Sequence, residues 1–264
     1  MTIKMRFNKK FFYWSPHLAD IATSKAVINS AYSFKKFGKK IDCSIINFFG
    51  EFNKHQEEIA KKQINMINFF KKNLINFMPS KGKLGSRLSF LFIFLLGFFP
   101  LKKLIQEKKP DYLIIHLITS LPLILLIFFK FETKFILRIS GLPKMNFLRK
   151  FLWKIALKKI YKITCPTKAT KDYLISLNIL DESKIFTLYD PVVEIKKILD
   201  LKKKENEFSD KKYFLGVGRL TTQKNFSLMI KGFEKIKDEI PDLYLIISGR
   251  GEKENYLKEL VESL

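Results

Sequence analysis

The sequence predicts an α/β protein with parallel sheets, arranged as one complete unit followed by part of a second. Three observations carry that expectation. Short apolar, β-like runs alternate with helical patterns from Lys9 to Leu188, as strands joined by helical crossovers do. A polar stretch from 196 to 212, rich in Lys, Glu, Asn and Asp, then breaks the pattern. The alternation restarts over Tyr213–Val217, Asn225–Glu239, Leu243–Ser248 and Lys253 to the end. The expected division is residues 1–192, a linker over 193–212, and a shorter unit over 213–264. A unit of about 50 residues buries too small a share of its surface to stand alone. Either more chain follows it or it packs on the first unit.

Each element has its own justification. Lys9–Trp14 reads as the first strand and ends in the loop Ser15-Pro16-His17. Ala22–Phe37 is helical because Val27, Ile28, Ala31 and Phe34 share a face, with Gly38 as a stop. Ile41–Phe49 is a second strand, and residues 54 to 77 read as a charged amphipathic helix. Leu88–Glu107 is a greasier helix. Asp111–His116 is a buried strand introduced by Pro110, and Lys134–Ser140 another, broken by Gly141 and Pro143. Phe147, Leu148, Phe151, Leu152, Ile155 and Ile160 recur at helical spacing. Arg149, Lys150, Lys154, Lys158 and Lys159 fill the other positions, giving that helix a basic outer surface. Lys162–Cys165 and Lys184–Leu188 are strands separated by a helix over Thr170–Leu177. In such sheets ligands bind beyond the C-terminal strand ends, which singles out Ser15 to His17, His116 and Arg138 to Gly141.

Composition narrows the function classes. The 264 residues are 47% hydrophobic, enough for a packed core, and carry a net charge of +24. Arginine stands only at Arg6, Arg87, Arg138, Arg149, Arg219 and Arg250, so nearly all of that charge is dispersed lysine. A nucleic-acid binder would concentrate arginine and aromatics on one face, so no nucleic-acid partner is expected. Either codon bias or attraction to an anionic membrane surface accounts for the lysines. Cys43 and Cys165 lie in apolar strands as buried thiols, and the histidines and cysteines form no metal-ligand spacing, so no metal is implied. The N-terminal residues lack a secretory leader. The expected location is cytoplasmic, peripheral on the inner face of the plasma membrane. Leu88–Leu101 is uncharged but shorter than the roughly 20 residues that span a bilayer. It reads as a core helix or, flanked by Lys81, Lys83, Arg87, Lys102 and Lys103, as an interfacial one.

The most informative segment is Tyr213-Phe-Leu-Gly-Val-Gly-Arg-Leu-Thr-Thr-Gln-Lys-Asn225. An apolar strand meets Gly216 and Gly218, and Arg219 and Lys224 follow as a helix begins. Glycines admit a ligand close to the backbone, and a helix N-terminus offers unpaired N–H groups and positive potential. Two cations beside it are what a diphosphate needs. A dinucleotide reading is weaker, because Gly216-x-Gly218-x-x-Thr221 lacks the third glycine.

Gly216 to Phe226, followed by Leu243-Tyr-Leu-Ile-Ile-Ser-Gly-Arg-Gly251, resembles the start of the second domain of the family-four glycosyltransferases. The resemblance implies a retaining transferase of the GT-B fold, with a complete N-terminal Rossmann-like domain and a partial second one. It implies that Gly218, Arg219 and Lys224 hold the donor diphosphate and that Gly249 and Gly251 support it. Asp111-Tyr-Leu-Ile-Ile-His116 resembles the strand whose terminal histidine lies near the transferred sugar, which implies a catalytic place for His116. Arg138-Ile-Ser-Gly141, Cys165-Pro-Thr-Lys-Ala-Thr170 and Asp190-Pro-Val192 fall where the family has later strand ends and its hinge. Tyr13-Trp-Ser-Pro-His17 with Ala26-Val-Ile-Asn-Ser30 resembles a subgroup tied to surface-polysaccharide assembly, including lipopolysaccharide. Ser15, His17, Arg138 and Gly141 are then supporting cleft residues. The implied partners are a nucleotide-sugar donor and a glycan or lipid-linked acceptor, with no cofactor. The family's two glutamates spaced by seven positions have no counterpart in Glu252, Glu254, Glu259 or Glu262. The expectation is therefore an inactive fragment, with a non-catalytic, basic membrane- or partner-binding remnant as the alternative.

Overall fold

The computed structural model describes residues 8–17, 22–70, 73–75, 82–191, 193–204, 208 and 210–264. The chain divides into two units at Val193 and Glu194.

In the first unit, β1 (Lys9–Trp14), β2 (Ile41–Asn47), β3 (Asn65–Asn68), β4 (Tyr112–Ile115), β5 (Lys134–Arg138), β6 (Lys162–Cys165) and β7 (Ile185–Thr187) form one sheet. Its order is β3-β2-β1-β4-β5-β6-β7 and every pairing is parallel. The order reverses between β1 and β4, and sheets of this kind bind ligands past the strand ends near such a reversal. Alternation along β1 sorts the core. Phe12 and Trp14 pack with Ile93, Leu121, Leu123 and Trp153 on one face. Phe11 and Tyr13 pack with Val27, Ile28, Ala31 and Ile59 on the other. The helices are α1 (Ala22–Phe37), α2 (Gln56–Lys61), α3 (Gly82–Lys108), α4 (Ser120–Phe128), α5 (Phe147–Lys159) and α6 (Lys168–Ser176). Cys43 and Cys165 are buried thiols, and burial pushes the Cys43 thiol up to about 12.

Two expectations are corrected. The helix expected over 54 to 77 is a 3-10 turn (Asn53–His55), the six-residue α2 and the edge strand β3, with 71–72 and 76–77 outside the described residues. Gln63 stops it in a left-handed conformation (φ 54°). Gln63 N–H donates to Ala60 O at 2.8 Å and Ile64 N–H to Ile59 O at 3.0 Å. Those two bonds close the helix end in the manner usually reserved for glycine. Ile64 is thereby released into the core, and β3 pairs with Ser44 to Asn47. The greasy helix is also longer than the uncharged run inside it. Leu88–Lys108 is long and apolar enough to cross a membrane by length and composition. It nevertheless packs against α4 and the loop after β2, for a Cβ on Gly97 would lie 3.0 Å from Leu121 and Phe48.

The second unit holds α7 (Ile195–Lys202), β8 (Lys212–Val217), α8 (Phe226–Glu234), β9 (Leu243–Ser248) and α9 (Glu254–Glu262). The polar stretch before β8 is thus partly helical, and no residue of α7 is buried. β8 and β9 pair in parallel from Lys212 with Leu243 to Val217 with Ser248. A small core of Leu220, Phe226, Ile230 and Leu257 closes one side. Phe214, Leu215 and Val217 remain exposed on β8.

Candidate active site

The first unit gathers polar side chains past the C-terminal ends of β4 and β5. His116 leaves β4 with its backbone N–H donating to Trp14 O at 2.9 Å, which fixes the end of β4 beside the end of β1. The residue is 3% exposed, and among the described residues neither ring nitrogen has a hydrogen-bond partner. Burial, then the nearby charge of Arg138, drops its pKa to about 3. The imidazole is therefore neutral at physiological pH, with one N–H to give and one lone pair to receive. It lines a groove of about 660 Å³ shared with Ser120, Arg138, Ser140, Gly141 and Arg149. The Ser120 hydroxyl there also lacks a partner. An orphaned buried polar atom costs free energy, so two on one groove mark a place shaped for a hydroxyl-rich ligand.

Arg138 is differently employed. Its Nε and Nη2 donate to Asp190 Oδ1 at 3.0 and 2.5 Å, and Nη2 also donates to Leu188 O at 3.0 Å. The guanidinium is thus held by a structural carboxylate. Asp190→Ala would leave the 4%-exposed Arg138 without its counter-charge. The expected cost is about 2–4 kcal/mol in urea unfolding, below a fully buried pair because Asp190 is partly solvated. Gly141 faces open space, where an added Cβ would meet nothing within 4 Å.

Ser15 and His17 are buried but do not line this groove. His17 Nδ1 lies 2.9 Å from Ser15 O, and its ring packs edge-on to Phe52 at 5.0 Å. That joins it to the loop after β2. There the Glu51 carboxylate accepts the N–H groups of Phe48 and Phe49 at 3.0 and 2.6 Å. Burial pushes Glu51 up to about 7 against those bonds.

In the second unit, β8 runs into Gly218 and Arg219, and α8 begins after Asn225. Asn225 is left-handed (φ 50°) and makes no side-chain cap, so its side chain takes none of the N–H groups that open α8; Leu228 N–H donates to Asn225 O at 3.1 Å. Lys224 folds back so that its stem would lie 3.6 Å from a Cβ on Gly218. Arg219 and Lys224 are exposed, and among the described residues neither has a carboxylate partner. Gly218 N–H donates to Ser248 O, and Leu220 N–H to Arg250 O, each at 3.0 Å. A Cβ on Gly249 would stand 1.8 Å from Gly218 O, and one on Gly251 2.3 Å from Leu220 O. These two glycines let the loop after β9 press against the loop that carries Arg219.

Residues 197–264 match the family model of glycosyl transferases group 1. An uncharacterized glycosyltransferase of Methanocaldococcus jannaschii is 31% identical over 252 residues, covering 87% of this chain and 58% of that protein. The chain has a GT-B-type α/β fold, and its sequence is similar to that of glycosyltransferases. The crystal structure of a glycosyltransferase from Rickettsia africae superposes with a TM-score of 0.66 at 19% identity, over 97% of this chain and 65% of that one. A UDP-GlcNAc 2-epimerase of Neisseria meningitidis, bound to UDP-GlcNAc, superposes at 0.58 and 12% identity, over 98% and 70%. At such identities the superpositions show the fold alone. The chain spans about three fifths of the length of the curated relative.

Within that fold, the structure brings His116, Arg138 and Gly141 around one groove and sets Gly218, Arg219, Lys224, Gly249 and Gly251 around one loop pair. Sequence reasoning missed Ser120 and Arg149 as groove neighbours. Ser120 had a signal, a hydroxyl at the start of an apolar helix just past a strand end. The fate of Arg138 had none, since Asp190 lies 52 residues away.

Proposed function

We propose that the chain binds a nucleotide-sugar donor and serves sugar transfer, with retention at the anomeric carbon, to a lipid-linked or surface-polysaccharide acceptor at the cytoplasmic face of a membrane. The observation that carries this is the pair Arg219 and Lys224, without acidic partners among the described residues, beside a start of α8 that has no side-chain cap. The pair lies in sequence that matches the glycosyl transferase model. As the glycosidic bond breaks, negative charge gathers on the departing diphosphate. Arg219, Lys224 and the α8 amides are aimed at that charge and stabilise it without reorganising. The same cations do the charge compensation otherwise asked of a divalent ion. Neutral His116, with Ser120, offers hydrogen bonds to sugar hydroxyls. The 264 residues taken alone are proposed to bind substrates rather than turn them over, because the paired glutamates implied by the resemblance have no counterpart in them.

The first test is calorimetric titration with UDP. Arg219→Ala should weaken the affinity at least about tenfold, the worth of one charge-assisted hydrogen bond. Equal affinity, or no affinity in the parent chain, overturns the diphosphate site. Turnover of a UDP-sugar by the isolated chain would overturn the substrate-holding role, and epimerisation in place of transfer would overturn the reaction class.

A further inference from the structure

α3 is an outer helix with its apolar side chains on the side where water should be. Ser89, Ile93, Leu101 and Ile105, at helical spacing, are at most 1% exposed and face the core with Gly97. On the opposite side Leu88, Leu91, Phe92, Leu95, Leu96 and Phe99 are exposed, Leu95 by 61% and Phe99 by 72%. A helix resting on a soluble core carries polar residues there. α5 repeats the pattern, with Trp153, Ala156 and Leu157 buried and Phe147 82% exposed beside Leu148 and Phe151. The two surfaces are neighbours, because Phe90 of α3 and Leu148 and Leu152 of α5 line the groove that holds His116. Contiguous apolar surface on this scale marks an interaction site.

Charge decides what covers it. No acidic residue occurs between Glu132 and Asp172, whereas Lys144, Arg149, Lys150 and Lys154 all fall there. Lys102, on α3, stands 4.0 Å over the Phe129 ring. A second copy of this chain would bring another +24 of charge and the same basic rim to the contact. An anionic bilayer satisfies both halves of the surface, acyl chains receiving Leu and Phe while head groups receive Lys and Arg. The packed stripe of α3 is held in the core against α4 and the loop after β2, so α3 lies on such a bilayer and does not cross it.

We propose that the N-terminal unit docks on an anionic lipid bilayer through the joined faces of α3 and α5, and that a lipid-anchored acceptor reaches His116 from that side. The second half rests on the transfer reading; the docking does not.

The experiment is co-sedimentation of the whole chain with phosphatidylcholine vesicles, with and without phosphatidylglycerol. Binding is expected to need phosphatidylglycerol. Leu95→Glu with Phe99→Glu should lower partitioning at least about tenfold, and Lys150→Glu with Lys154→Glu should remove the preference for phosphatidylglycerol. All four side chains are exposed, so melting curves of both variants should match the parent. A parent that ignores anionic vesicles overturns the proposal, as does a Leu95 and Phe99 variant that binds like the parent. Self-association abolished by Leu95→Glu would also overturn it, by giving the face to a second copy. UDP titration of the same samples separates the two readings, since loss of nucleotide binding counts against transfer and leaves docking intact.

Discussion

Replacing His116 with leucine should make the N-terminal unit more stable while removing its part in transfer. The ring is buried with neither nitrogen paired, at the end of β4 among apolar side chains. An unsatisfied buried polar group costs about 1–3 kcal/mol, and an apolar side chain of similar size removes that cost. In a unit of this size each kcal/mol moves the melting temperature by about 2–4 °C. His116→Leu should therefore melt a few degrees higher in scanning calorimetry. A histidine kept for packing or for an internal bond predicts the reverse, a variant that melts lower. In an intact homologue that transfers sugar, the equivalent substitution should lower turnover about 100-fold or more, the usual loss of a polar group aimed at the reacting centre. UDP affinity should hold, because Arg219 and Lys224 belong to the other unit. A gain in stability joined to a loss of function is what a ligand-facing residue produces.

Much of the fold was readable because it depends on local pattern. Lys9–Trp14, Ala22–Phe37, Lys162–Cys165 and Leu243–Ser248 form with the boundaries that periodicity and stop residues suggest. The failure over 54 to 77 is equally physical. A glycine-type helix ending was made by Gln63, whose left-handed backbone no composition rule announces. Apolar content exposed α3 as unusual, yet which side faces the core is a tertiary fact set by α4 and the loop after β2. The candidate sites divide in the same way. Strand-end placement found His116, Arg138 and Gly141, which do line one groove. Whether each was spent or unspent was invisible in sequence, because Arg138 is claimed by Asp190 and His116 by nothing. The glycines after β9 were read as donor supports, and the structure adds a steric demand. Gly249 and Gly251 are needed for one loop to touch the other.

The N-terminal unit should also show a plateau and then an abrupt acid limb in its stability. Three of its groups set the shape. His116, at about 3 when folded against about 6.5 when unfolded, takes up a proton in the unfolded chain first. It withdraws stability as pH falls from 6.5 towards 3. Glu51 has the opposite sign. Its folded pKa of about 7, above the unfolded 4.5, makes the folded state the better proton acceptor, so it adds stability as pH falls from 7 to 4.5. Between about 6.5 and 4.5 the two slopes cancel. Below 4.5 Glu51 is protonated in both states and stops compensating. Glu58 then joins His116: burial raises its carboxyl, but the hydrogen bonds from Lys25 and Lys62 prevail and hold it at about 2. Each group alone is worth about 1.4 kcal/mol per pH unit. Glu58 is partly solvated and deserves less than full weight, so the acid limb should fall by about 1.4–2.7 kcal/mol per unit. Urea titrations from pH 7.5 to 3.5, followed by tryptophan fluorescence, would trace the curve. Glu51→Gln removes the compensating slope, and its stability should decline from pH 6.5 downward with no plateau. A plateau that survives in Glu51→Gln, or that is missing from the parent, would refute the opposed titration of these two buried groups.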